Sequence, residues 1–357
     1  MEERALAFLK RLLDAPGPSG YESLPAKVWR GEAKSFAAKV DTDVAGNVFA
    51  TLNPGGKPRV MLTGHLDEIG VMVTHVDDDG FLHFAGIGGW DSQVLVGQRV
   101  VLEGKGGAVN GVIGKKAVHL MKPDERDKVS KITDLWIDIG APKKDQALER
   151  VRVGDAGVIA SSALDMPGGR IASRSIDNRI GAFIALEALR RLTAPGSKLS
   201  AEVVAVGTTQ EEISHGGGGA RSSAYGLEPA VAIVVDVTHA TDFPGADKKE
   251  NGDFRLGGGV VLSRGSSVSR VVFDQLVAAA EAEKIPYAIE AAPRGTSTDA
   301  DGIFNVRRGI ATALVSVPCR YMHSPNEMVA LTDLERAADL LAAWARGLDA
   351  KVSFIPD

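Results

Sequence analysis

Two glutamates stand side by side at Glu211-Glu212, one residue past the apolar run AEVVAVGTT. Adjacent carboxylates at the end of a strand repel each other unless a cation sits near one of them. In a two-metal hydrolase, one such residue binds an ion while its neighbour holds the attacking water. His65 and Asp67 lie two apart after the β run VMLTG, where alternate residues of an extended chain face the same side. Asp177, in SIDNR at the mouth of a helical segment, is either an N-cap for that helix or a carboxylate that shares its two oxygens between two ions. Asp236 ends the run AIVV, and His323 follows the run ATALVSVP within YMHSP.

These positions make chemical sense only if the fold gathers them. Strands alternate with helical stretches on both sides of an inserted segment, which implies an α/β fold with a mostly parallel central sheet and helices on both faces. The carboxyl edge of such a sheet is where ligands bind. Five nitrogen and oxygen donors, His65, Asp177, one of the two glutamates, Asp236 and His323, are expected along that edge. The mixture suits Zn²⁺, with Co²⁺ or Mn²⁺ also acceptable. A shared carboxylate would hold two such ions about 3.5–4 Å apart.

Between residues 70 and 165 the texture changes to short apolar runs separated by Gly and Asp turns, as in a small all-β barrel or sandwich. The expected domains are therefore a discontinuous catalytic unit, 1–69 with 166–357, and an inserted β unit, 70–165. Helices are expected at 3–14, ending at Pro16-Gly17-Pro18, at 177–192, capped by Ser175 or Asp177, and at 272–283. A last helix at 332–348 opens on an apparent capping box, Thr332 with Glu335. The glycine runs 216–219 and 257–259 read as turns, since neither is followed by the Lys-Ser/Thr of a phosphate-binding loop.

Bulk composition narrows the function. The 357 residues are 44% hydrophobic and 24% charged, with 41 basic and 46 acidic residues and a net charge of −5, as in an ordinary globular protein. No stretch concentrates Lys and Arg as nucleic-acid binding requires. No apolar run is long enough for a membrane span and the first residues lack a leader pattern, so the cytoplasm is the expected location. The single cysteine, Cys319, reads as a buried apolar side chain. His75, His83 and His119 fall in the β insert and need no role beyond structure, and His215 and His239 stay outside the ligand set.

The segments GHLDEIG (64–70), SIDNR (175–179), TTQEE (208–212), VDVTHA (235–240), STDADG (297–302) and PCRYMHSPNE (318–327) occur in that order. Together they resemble the M42 family of glutamyl-aminopeptidase and tetrahedral-aminopeptidase type enzymes, over nearly the whole chain. The resemblance implies that His65 and His323 are terminal ligands, Asp177 the bridge, Glu212 a ligand of one ion and Asp236 of the other. It also implies that Glu211 is the general base and that Asp67 orients His65. Two divalent ions per subunit, short peptide substrates, and dimers formed through the insert and assembled into a dodecamer follow from it too. One departure stands beside the catalytic pair: the family has a shorter stretch like VGLRGA where this chain has Ile213-Ser214-His215-Gly216-Gly217-Gly218-Gly219-Ala220. Two other readings compete, an M20-like deacylase or carboxypeptidase and a non-catalytic scaffold stabilised by metal.

Overall fold

The computed structural model describes every residue except Pro195, Ser197, His215, Gly216 and Asp357. The chain opens with α1 (Glu3–Asp14), which buries Ala5, Phe8, Leu9, Leu12 and Leu13 at helical spacing, and α2 (Ser23–Ala33). Three strands follow, β1 (Lys39–Thr42), β2 (Val48–Leu52) and β3 (Arg59–His65). Six more close into an antiparallel barrel: β4 (Gly70–Val76), β5 (Leu82–Ile87), β6 (Arg99–Gly104), β7 (Gly107–Gly114), β8 (Trp136–Asp138) and β9 (Ala156–Ile159). Short helices α3 (Pro123–Arg126) and α4 (Lys144–Arg150) lie in its connections. Closure leaves the barrel without free edges, and its own core forms around Val71, Leu82, Val100, Leu102 and Ile137.

The chain then returns through β10 (Leu164–Met166) and β11 (Arg170–Ser173) into α5 (Ile176–Arg191). After it come β12 (Glu202–Thr208), α6 (Gly218–Leu227), β13 (Val231–His239), α7 (Lys248–Asn251), β14 (Val260–Gly265) and α8 (Arg270–Ala282). The chain closes with β15 (Tyr287–Ala292), α9 (Asp299–Ile303), β16 (Ala311–Cys319), β17 (Glu327–Ala330) and α10 (Leu331–Arg346). β10, which the sequence places in the insert, pairs with β11 in a small sheet completed by β17.

The central sheet has eight strands in the order β1-β2-β12-β3-β13-β16-β14-β15. Its middle pairings, β12 with β3, β3 with β13 and β13 with β16, are parallel. Period-two alternation divides its side chains between two cores. Val60, Leu62, Val203, Ala205, Val231, Ile233 and Val235 pack with α1, α5, α8 and α10. Met61, Val204, Val206, Ala232, Val234 and Leu314 pack on the other face, with Ala220 and Ala224 of α6 and Ala300 and Ile303 of α9. Continuing the alternation past the apolar runs puts His65, Thr208, Asp236 and Ser316 on the α6–α9 face.

Three local expectations are corrected. α10 has no capping box: Ala330 occupies the N-cap position without a side-chain bond, because β17 runs straight into the helix. Glu335 instead pairs with the Met1 amine at 2.8 Å. Neither Ser175 nor Asp177 caps α5, since the Ser175 hydroxyl donates to the Leu13 carbonyl at 2.9 Å and no side-chain cap bond forms. Of the glycines at 216–219, Gly218 and Gly219 begin α6 rather than a turn, and Gly216 lies outside the described residues. A Cβ on Gly218 would come 2.6 Å from the Gln210 carbonyl oxygen and one on Gly219 2.1 Å from Asn47 Oδ1, so Gly218 and Gly219 let the helix start close against the end of β12. Gly257 and Gly258 do form a turn.

Beneath the sheet edge, Glu68 is buried between two arginines, with Arg174 Nη1 at 2.5 Å and Arg179 Nη2 at 2.7 Å. Arg179 also donates to the Leu12 and Leu66 carbonyls, tying α1 and the His65 segment to α5. Glu68→Gln removes the counter-charge of two buried guanidiniums and is expected to destabilise the chain by about 3–5 kcal/mol. Urea unfolding followed by circular dichroism checks this, and an unshifted midpoint contradicts it.

Candidate active site

Each histidine of the site is held at Nδ1 by a main-chain carbonyl and turns Nε2 toward carboxylates. His65, the last residue of β3, directs Nδ1 at the Asp67 main-chain carbonyl, 3.2 Å away. A carbonyl only accepts, so Nδ1 carries the hydrogen, and Nε2 faces Asp177 Oδ1 at 3.3 Å. His323 follows the same plan. Its Nδ1 donates to the Gly89 carbonyl at 2.9 Å, and its Nε2 lies 3.4 Å from Asp177 Oδ2 and 3.3 Å from Glu212 Oε2. Carbonyl-held imidazoles of this kind are the usual setting of metal-ligating histidine.

Asp177 reaches between them because its backbone leaves the helix, with φ −76° and ψ 108°. Its amide donates to Glu327 Oε2 at 2.9 Å, and the His323 amide donates to Glu327 Oε1 at 2.8 Å. One buried carboxylate thus sets the positions of both residues. Asp67 does the same for the glutamate pair: the Glu211 amide donates to its Oδ1 at 3.2 Å and the Glu212 amide to its Oδ2 at 3.1 Å. The Asp67 carboxylate also lies 3.4 Å from His65 Nδ1. Ser175, Gln210, Tyr321 and His323 all have φ between 58° and 64°, so the loops carrying the site hold a left-handed backbone that glycine favours and these residues do not.

The donor atoms fall into two trios, His65, Asp177 and Asp236, and Asp177, Glu212 and His323, each within a 4.8 Å span. Tetrahedral coordination with bonds of about 2.0–2.1 Å separates ligand atoms by about 3.3–3.4 Å, which matches the histidine to carboxylate distances. Glu212 Oε1 is buried without a hydrogen-bond partner, a costly arrangement for a carboxylate oxygen unless a cation meets it. The residues therefore fit two divalent ions sharing Asp177. Glu211 belongs to neither trio, yet its Oε2 lies 3.7 Å from His65 Nε2.

Charge follows the same logic. Burial pushes the Glu211 carboxyl up to about 10, opposed by His65 and reinforced by Asp236, Asp299 and Glu212. Burial and Asp177 also raise Asp236, Glu212 and Glu327. Hydrogen bonds to Asp177 and Glu212 raise His323 to about 11. Without cations, the site gathers protons to offset its carboxylates, and divalent ions would displace them.

The site opens on a cavity of about 960 Å³ that reaches across the sheet face to β14, β15 and the loop before α9. Sequence reasoning missed Glu327 and Asp299. Asp299 is buried, accepts from Thr208 Oγ1 at 2.5 Å, and is raised to about 6 by burial. Both residues lie in the family-like segments STDADG and PCRYMHSPNE, but their roles depend on contacts across the sheet edge. His239 borders the cavity outside both trios, and His215 lies outside the described residues. Cys319 is buried, and burial raises its thiol well above the usual range, unlike a nucleophile.

Residues 46–340 match the family model described as M42 glutamyl aminopeptidase. A lysyl aminopeptidase from Pyrococcus furiosus is 33% identical over 94% of this chain and 95% of its own length. The crystal structure of a TET aminopeptidase from a marine sediment Thaumarchaeota archaeon superimposes with a TM-score of 0.92 at 34% identity, covering 97% of each chain. The TET1 peptidase of Pyrococcus horikoshii, which can assemble into a tetrahedron or a large octahedral shell, gives 0.84 at 31% identity, over 96% of this chain and all of that one. These matches favour an aminopeptidase over an M20-like deacylase. Together with the two donor trios, they establish that the chain belongs to the M42 glutamyl aminopeptidase family and is a metal-dependent aminopeptidase.

Proposed function

We propose that the chain removes N-terminal residues from short peptides with two divalent ions per subunit, held by His65, Asp177 and Asp236 and by Asp177, Glu212 and His323. Asp177 carries the reading: its two carboxylate oxygens divide between the two histidines, at 3.3 and 3.4 Å. Zn²⁺ suits the donors, with Co²⁺ and Mn²⁺ as alternatives. Bound ions of this kind polarise the scissile carbonyl and acidify water. Glu211, outside both trios, takes the proton from the attacking water and returns it to the leaving amine. A base that neither trio needs argues against a metal-stabilised scaffold. Asp67 holds the amides of Glu211 and Glu212, and through them the base. The barrel is proposed as the surface through which subunits of a homo-oligomer dimerise, with a dodecamer as the larger assembly. The single free cysteine is in keeping with a cytoplasmic location.

The function is tested by stripping the protein of metal and assaying unblocked and N-acetylated peptides with and without added Zn²⁺ or Co²⁺. Release of single residues from unblocked peptides only, dependent on metal, is the expected result. Cleavage confined to acylated substrates would reject it. Glu211→Gln should retain the metal and lower turnover by about 10²–10⁴-fold, the usual contribution of a general base. Full turnover in that variant excludes Glu211 from proton transfer. Glu327→Gln, which disturbs the anchors of Asp177 and His323, should weaken metal retention by about 10- to 100-fold in a chelator competition. Unchanged retention there shows that the two amides do not depend on the carboxylate.

A further inference from the structure

We propose that Glu290 selects lysine or arginine as the N-terminal residue of the substrate, by receiving its cationic side chain at the sheet floor beside the metal site. The proposal rests on the aminopeptidase reading above.

Asp236 and Thr238 are two apart on β13 and so share a face, with about 6.8 Å between them along the strand. Thr238 Oγ1 donates to Glu290 Oε1 at 2.8 Å, and Ser263 Oγ lies 3.4 Å from Glu290 Oε2. Ser263 and Glu290 are register partners on β14 and β15, and Ser316 is the register partner of Asp236 on β16. Asp236, Thr238, Ser263, Glu290 and Ser316 all border the one cavity. One side-chain length from a metal-ligand position, the floor therefore carries a fixed carboxylate.

Among the described residues that carboxylate has no counter-charge. Glu290 is half-buried and its partners are hydroxyls, with no ion pair to it among the described residues. On the same cavity wall, the Ser316 hydroxyl oxygen is buried and without a hydrogen-bond partner, in a residue 1% exposed. An ammonium or guanidinium group supplies what this carboxylate lacks, since it offers several donors and a positive charge. Ala291, Ala292 and Pro293 continue the cavity wall and offer apolar surface to the methylene stem of such a side chain.

The other charged residues of the cavity are placed differently. Asp301 is occupied by the amides of Thr296 and Ser297, at 2.9 and 2.8 Å. Asp299 is engaged by Thr208. Arg221 is exposed on the first turns of α6, where water competes for its charge.

The test is kcat/KM of the metal-loaded protein on aminoacyl-p-nitroanilides of lysine, arginine, leucine and glutamate, with N-acetyl-lysine as the blocked control. Lysine and arginine are expected to exceed leucine and glutamate. Glu290→Gln should lower the lysine to leucine ratio by about 10- to 100-fold, and Glu290→Lys should turn the preference toward glutamate. Metal content and thermal unfolding of both variants identify any that misfolds, and the wild-type ratios decide the matter without a variant. A preference of the wild-type protein for leucine or glutamate overturns the proposal while leaving an aminopeptidase. A ratio unmoved in folded Glu290→Gln overturns it as well. No hydrolysis of any unblocked substrate overturns the aminopeptidase reading and this proposal together.

Discussion

Negative charge buried at the edge of one sheet is the constraint around which the site is organised. Asp67, Asp177, Glu212, Asp236, Asp299 and Glu327 are largely withdrawn from water, and His65 and His323 are the only imidazoles among the donor trios. Burial raises the Glu211, Asp236 and Glu327 carboxyls, while the two histidines beside Asp177 and His65 beside Asp67 hold those two carboxyls down. The chain nevertheless spends backbone strain and buried hydrogen bonds on holding these groups together. Divalent cations are what make that arrangement favourable, and the unpartnered Glu212 Oε1 marks where one would meet the protein.

The sheet supplies the precision. Parallel pairing of β12, β3, β13 and β16 aligns His65 with Thr208 and Asp236 with Ser316, so side chains far apart in sequence share one face by register alone. A slip of one residue in any of these strands would turn its polar terminus into the opposite apolar core. The helix α5 then crosses the strand ends and projects Asp177 between the two histidines. Where the backbone cannot align a group directly, a second carboxylate does so through amides: Asp67 for the glutamates, Glu327 for Asp177 and His323.

Much of this could be read in the sequence because the proposed ligands lie where apolar runs stop. His65 and Asp236 follow runs whose alternation already fixes a face, and His323 comes four residues after a buried strand, so placing the strands places them. Asp177 was ambiguous for a physical reason: a carboxylate at a helix mouth can cap the helix or leave it, and only its non-helical ψ separates the two. Glu327 and Asp299 gave no local signal, since their importance lies in contacts with segments more than 90 residues away or across a loop. The capping box at Thr332 failed because capping needs a loop before the helix, and here a strand runs into it. The glycines after Glu212 were misread as a turn because their close approach to Asn47 and Gln210 is a tertiary fact.

The insert belongs to the chemistry as well as to the architecture. Its Gly89 carbonyl holds His323 Nδ1, and a Cβ on Gly89 would lie 3.3 Å from that nitrogen, so the loop after β5 lies against the imidazole. Gly88 packs against Ile69 where the chain passes from β3 to the barrel, with Glu212 Oε2 3.4 Å from where its Cβ would be. Trp90 fixes the same loop by donating from its indole nitrogen to the Gly70 carbonyl at 2.7 Å. Two glycines and a tryptophan thus bring the barrel to van der Waals distance of His323 and Glu212. The tautomer of His323 is set by a carbonyl from the barrel, and with it the availability of Nε2 to a metal. A displacement of the barrel by even an ångström would lengthen that hydrogen bond and loosen the ligand it orients, which ties the position of the insert to the state of the catalytic centre.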